Sequence, residues 1–251
     1  MNTQAKEFLL LHGLIGTLSD SRIIESFGNN TVYAPDLLGY GSHRNYAEAA
    51  WTLNDQVEHV AGYIEKHAAG PVHVVGHSVG GAVSVLLAAA YPTLVSSVTS
   101  VEGNMTLDDA FWSAGLASKP LAEVESMLKG FSSNIEGWLE DAGVTPSKWT
   151  RQVAKDWLVV QPASTVQNQA LAVVEATSGP QYLLTVNEVI ASQLPFHLLA
   201  GQRSLAGWHL PENVRANATS FTSMPDCGHL MMLEDPAAFA RCVLEPLDWR
   251  V

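Results

Sequence analysis

Basic residues are scarce in this chain: 13 Lys and Arg stand against 25 Asp and Glu among 251 residues, a formal charge of −12. A surface of that sign repels a phosphate backbone, and no cluster of Lys or Arg interrupts it, so nucleic acid is set aside as a partner. Cysteine is nearly absent. Cys227 and Cys242 fall in neither a CxxC nor a metal-ligand spacing. They read as reduced thiols of a cytoplasmic protein, with a disulfide between them left open, and nothing calls for a metal. Long apolar runs are missing as well, since FLLL and VSVLLAAAY are too short or too mixed to span a bilayer. The segment MNTQAKEFLLLHG lacks the basic stretch, long apolar core and small-residue cleavage site of a secretory signal.

What the chain does hold is apolar bulk. Hydrophobic residues make up 47% and charged residues 15%, which suits a compact globule of one large or two small domains. Short apolar runs at Glu7–Leu11, Thr31–Ala34, Val72–Gly76, Ser96–Val101, Pro195–Ala200 and Ala218–Met224 each end at Gly, Pro, Asp or Asn or their near neighbours, the habit of buried parallel strands. Helical patterns separate them. Asn54–Ala68 carries one apolar face with Asn54 as its expected N-cap, Val79–Tyr91 stops at Pro92, and Pro236–Leu244 closes the chain. This alternation predicts an α/β fold with a mostly parallel sheet flanked by helices. Residues 104–193 break the rhythm with helical patterns and four tryptophans, and are expected to form a helical insertion between two strands.

Gly76-His77-Ser78-Val79-Gly80 is a G-x-S-x-G sequence placed between a strand and a helix. A strand turning into a helix around one residue strains that residue and brings chains so close that a flanking Cβ would clash. The turn exposes a hydroxyl and aims a helix N-terminus at the reacting centre. A hydroxyl needs a base, and His229 follows Gly228 after the last strand, at the sheet edge where ligands gather. His77 is expected to point away from the nucleophile, and His59, His67 and His73 to be solvated or structural. After the first strand, His12-Gly13-Leu14 can turn the Leu14 amide toward the serine, with the Val79 amide as second oxyanion donor.

Taken together, LLLHGLIG, APDLLGYGSH, VVGHSVGGAVS and CGHLMMLEDP resemble the α/β-hydrolase fold superfamily, in that family's order. The resemblance implies Ser78 as nucleophile, His229 as base and the Leu14 and Val79 amides as oxyanion donors. It also implies a core of residues 1–103 and 194–251 with a cap of residues 104–193. Two departures are visible. The family's two leading strands are missing, and the loop after the strand that follows the cap, Gly201-Gln202-Arg203-Ser204, has no carboxylate where most members place an aspartate.

The replacement acid is expected at Glu102, which ends the strand before the cap. Neighbouring strand ends lie only about 5 Å apart, so a carboxylate there can reach the same histidine. Some haloalkane dehalogenases and the zearalenone lactonases keep their acid at this position. Asp226, three residues from His229, and Glu212 are the other candidates. The expected chemistry is cleavage of a small to medium ester, lactone or thioester through an acyl-serine, without cofactor. Gly13, Ile15 and Trp112 are expected to contact the small acyl substrate. Carbon–carbon cleavage on the same groups, a ligand receptor with little turnover, and a homodimer all remain open.

Overall fold

The computed structural model describes residues 5–46 and 50–248. Six strands, β1 (Glu7–Leu11), β2 (Thr31–Tyr33), β3 (Val72–His77), β4 (Val95–Val101), β5 (Phe196–Gly201) and β6 (Ser220–Met224), form one sheet in the order β2-β1-β3-β4-β5-β6. Every pairing is parallel. The expected α/β class and the six expected strands are therefore present, β1 with the expected ends and the others with ends moved by one or two residues. The inner strands β1, β3, β4 and β5 are almost wholly buried, which explains their continuous apolar runs. The edge strands β2 and β6 are only half-buried.

Helices cover both faces. In chain order they are α1 (Ser21–Glu25), α2 (Leu53–His67), α3 (Val79–Ala90), α4 (Phe111–Ala117), α5 (Leu121–Ser133), α6 (Ile135–Asp141), α7 (Lys148–Val159), α8 (Ala163–Thr177), α9 (Pro180–Ala191), α10 (Glu212–Asn217), α11 (Met231–Glu234) and α12 (Pro236–Asp248). Successive residues of a strand face opposite sides, and the core divides accordingly. Leu9 and Leu11 join a cluster with α2, α3, α8 and α9, whereas Phe8 and Leu10 pack with Phe27, Trp157 and Phe239 on the other face.

Two helix expectations need correction. The N-cap of α2 is Thr52, not Asn54: Thr52 Oγ1 accepts from the Asp55 amide, and the Asp55 carboxylate accepts from the Thr52 amide at 2.7 Å. That reciprocal pair satisfies two amides at once, which Asn54 inside the first turn does not do. Helix α12 also continues past Leu244 to Asp248, with Pro246 inside it, because Leu247 extends the buried face of Phe239, Ala240 and Val243.

The topology sets the position of the site. From β1 the chain moves out to β2, then returns to place β3 on the other side of β1. At such a reversal the loops after the two strands diverge and leave a crevice at their C-terminal ends. The loop after β1 holds Gly13 and Leu14, and the turn after β3 holds Ser78. All of α4 to α9 lies between β4 and β5, with α8 packed against α2 and α9 against α3.

Candidate active site

Ser78 sits between β3 and α3 with φ 53° and ψ −119°, a left-handed conformation costly for any residue with a Cβ. Its amide donates to Val101 O at 3.0 Å, and its carbonyl accepts from the Gly81 and Asn104 amides. The turn is possible only because its flanks are glycine. A Cβ on Gly76 would run into Ser84 Oγ and the Gly80 carbonyl, and one on Gly80 would strike the Leu11 carbonyl.

The loop after β1 is held by a histidine that does no titrating near neutrality. His12 Nε2 accepts from the Leu37 amide at 3.2 Å, so Nδ1 carries the proton and donates to Gly13 O at 2.9 Å. Burial pushes this imidazole down to about 4. Tyr40 Oη donates to Leu14 O at 2.8 Å, which fixes the peptide next to it. The Leu14 loop and Ser78 thus face the same space, and the Val79 amide opens α3 beside them.

Glu102 follows β4 and, like Ser78, has a positive φ, 41°. Its side chain is 4% exposed and makes three hydrogen bonds. Oε2 meets His229 Nδ1 at 2.6 Å, while Oε1 accepts from Ser204 Oγ at 2.5 Å and the Gly201 amide at 2.8 Å. Burial pushes the carboxyl up, but hydrogen bonds from His229, Ser204 and Gly201 outweigh it and hold the group below the usual carboxylate range. With Nδ1 directed at a carboxylate, His229 leaves Nε2 as its free nitrogen. Its side chain is 44% exposed and lines the same cavities as Ser78.

The other two acids stand apart from this histidine. Asp226 is exposed in the His229 loop with φ 56°, its amide donating to Gln202 Oε1. Glu212 is exposed in the first turn of α10. Neither bonds His229.

Several contacts were not expected from the sequence. His77 does not stay clear of the site: its Nε2 donates to His229 O at 3.0 Å, and the two rings lie 4.4 Å apart. Burial keeps His77 well below the ordinary range, hence neutral. Arg203 binds the carbonyl of Asp226, the carbonyl of Gly143 and Glu234 Oε2, while Glu234 Oε1 accepts from the Gly228 amide. The loop carrying His229 is thereby tied to α11 and to the segment between α6 and α7. Trp208 Nε1 donates to Gly103 O at 2.9 Å, closing the other side. No spacing rule finds most of these partners, because they join segments remote along the chain.

Two cavities open on either side of Ser78, of about 460 and 400 Å³. Leu14, Ser78, Trp112 and His229 line both. Both are predominantly apolar; Asn104, Asp109, Ser113 and Trp208 also line the larger, and Gly13, Ile15, Phe131, Trp138 and Trp157 the smaller. Among the described residues no three His, Cys, Asp or Glu side chains gather in a metal-binding cluster, and Cys227 and Cys242 are both free thiols. No helix among them is long and apolar enough to cross a membrane.

A strained serine at a topological reversal, beside a histidine bound to a buried carboxylate, defines a class of fold-borne site rather than one protein. The chain belongs to the Alpha/beta hydrolase family, whose model matches residues 8–242. It is 43% identical over 77 residues to Lipase LipV of Mycobacterium tuberculosis, covering 31% of this chain and 29% of that lipase. It is 32% identical over 117 residues to Lipase 3 of a Moraxella species, covering 46% of this chain and 36% of that protein. The chain therefore matches about a third of the length of these curated relatives. A thermophilic esterase from Thermogutta terrifontis has the same fold, with TM-score 0.70 over 97% of this chain and 90% of its own, at 19% identity.

Proposed function

We propose that the protein is a serine hydrolase that cleaves small to medium carboxylic esters, lactones or thioesters through an acyl-serine. Ser78 is the nucleophile, His229 the general base and Glu102 the acid that orients it. In the first half-reaction Ser78 Oγ attacks the carbonyl carbon while its proton passes to His229 Nε2. Glu102 stabilises the resulting imidazolium through Nδ1 and keeps its own charge. The carbonyl electrons collect on the oxygen, which the Leu14 and Val79 amides receive, helped by the positive end of α3. His229 then gives the proton to the leaving alcohol or thiol, and deacylation repeats the sequence with water.

The observation that carries this reading is the 2.6 Å bond from His229 Nδ1 to the buried Glu102, beside a serine held at φ 53°. Strain and a buried ionised acid are costs that cluster where chemistry is done. Gly13, Ile15 and Trp112 line the smaller cavity together with Ser78 and are read as substrate contacts. Residues 104–193 are read as a cap over the core of residues 1–103 and 194–251, since their helices supply the aromatic wall. The combined volume of the two lobes suits an ester with one modest group on each side. The lipases and esterase similar to this chain support the same class.

A fluorophosphonate is expected to label the protein once per chain, and Ser78→Ala to abolish both labelling and hydrolysis of p-nitrophenyl esters. Wild-type protein that stays unlabelled would overturn the reading.

A further inference from the structure

The smaller lobe has a composition that ester cleavage alone does not require. Trp112 of α4, Phe131 of α5, Trp138 of α6 and Trp157 of α7 line one cavity of about 400 Å³ that opens on Ser78. Asp141 lines it too, and no Lys or Arg does. Trp138 and Asp141 are three residues apart on α6, so both project from the same side of that helix. The Phe131 and Trp138 rings are 6.1 Å apart and inclined at 37°, angled rather than stacked flat.

Asp141 is not explained by its own helix. It is the last residue of α6, where a carboxylate meets the negative end of the helix dipole. It is solvent-exposed, with no ion-pair or hydrogen-bond partner among the described residues. Arg203, which reaches the carbonyl of Gly143 two positions on, is already paired with Glu234 at 2.6 Å. The lobe thus presents aromatic walls and one solvent-exposed carboxylate without a cationic partner. His77, its buried histidine, is held neutral.

Aromatic faces carry negative charge density and attract cations, more strongly as the cation is desolvated. An alkylammonium group satisfies both features of the lobe: its methyl groups pack on the rings and its charge faces Asp141. A neutral alkyl or aryl group would fill the walls but gain nothing from the carboxylate, which water solvates, and an anionic group would be repelled. The net charge of −12 adds a field that concentrates cations around the molecule.

We propose that this aromatic lobe binds an alkylammonium group, so that the preferred substrates are esters carrying a quaternary or tertiary ammonium a few bonds from the scissile carbonyl. This rests on the hydrolase reading above. The test compares two isosteric pairs: acetylthiocholine against the thioester with a quaternary carbon in place of nitrogen, and a trimethylammonio-acyl p-nitrophenyl ester against its all-carbon counterpart. In at least one pair kcat/KM is expected to favour the cation by about tenfold, carried mainly by KM. That ratio is expected to fall toward one in Asp141→Asn, to fall again in Trp138→Leu, and to shrink with added salt. A ratio near or below one in both pairs, or one that survives Asp141→Asn, overturns the proposal. Fluorophosphonate labelling of the same preparation separates the two readings: a labelled enzyme without cation preference sinks only the ammonium site, and an unlabelled one sinks the hydrolase reading with it.

Discussion

Ser204 Oγ donates to Glu102 Oε1 at 2.5 Å, across the gap between the loop after β5 and the end of β4. The loop position where the family resemblance led to the expectation of an aspartate is thus occupied by a hydroxyl that supports a carboxylate one strand away. Two ionised carboxyls in this buried niche would repel each other, so one acid with three donors is the stable arrangement. The Gly201 amide and His229 supply the other two donors.

Glu102→Gln is expected to lower kcat by roughly three to four orders of magnitude, since an amide neither fixes the imidazole tautomer nor stabilises its charged form. Asp226→Asn and Glu212→Gln should stay within about twofold of wild type, as neither side chain meets His229. Steady-state kinetics on one p-nitrophenyl ester decides. Near-full activity in Glu102→Gln would remove it from the mechanism.

Ser204→Ala removes one of the three bonds that hold the Glu102 carboxyl low. A hydrogen bond to a charged group is worth about 1.5–3 kcal/mol, so kcat should fall by about ten- to a hundredfold. The acid limb of the kcat/KM profile should also move to higher pH, because the carboxyl protonates more readily. Ser204→Thr, which keeps the hydroxyl, should restore most of both. An unshifted pH profile in Ser204→Ala would show that the hydroxyl does not act through Glu102.

Acid should weaken the fold in two stages. His12 is pushed down by burial to about 4 from its ordinary 6.5. Between those values the unfolded chain holds a proton that the folded chain refuses, so stability falls as pH falls through this window, by up to about 3 kcal/mol. His77 acts in the same direction. Glu102 acts in the same direction at lower pH: its contribution is present above the ordinary carboxylate value of 4.5 and is lost as pH falls through its lower folded value. Urea unfolding followed from pH 7 downward should show the midpoint already dropping between about 6.5 and 4.5. A flat midpoint across that range would contradict the burial of an uncharged His12.

Glycines should separate by surroundings. Gly62 in α2 and Gly130 in α5 are inside helices with nothing near a would-be Cβ, so alanine at each should raise stability by about 0.5–1 kcal/mol. Gly80→Ala drives a methyl into the Leu11 carbonyl and should cost about 1–3 kcal/mol or more. Thermal melts of the three variants check this. A Gly80→Ala protein as stable as wild type would mean that the turn after β3 relaxes freely.

The sequence by itself determined the strands, the helices between them and the strained turn at Ser78, because these depend on periodicity and on residue sizes within a few positions. It also narrowed the acid to three carboxylates by showing none beside Ser204. Tertiary structure decided which of them meets His229: Glu102 is 127 positions away along the chain and arrives because β4, β5 and β6 lie side by side, with Glu102 after β4 and His229 after β6. The same holds for the His77 bond to the His229 backbone, for Arg203 tying three segments together, and for four aromatic rings from four helices surrounding one cavity with Asp141. Local patterns encode which element forms. Strand order and helix packing, set by burial across the whole chain, decide which side chains meet at their ends.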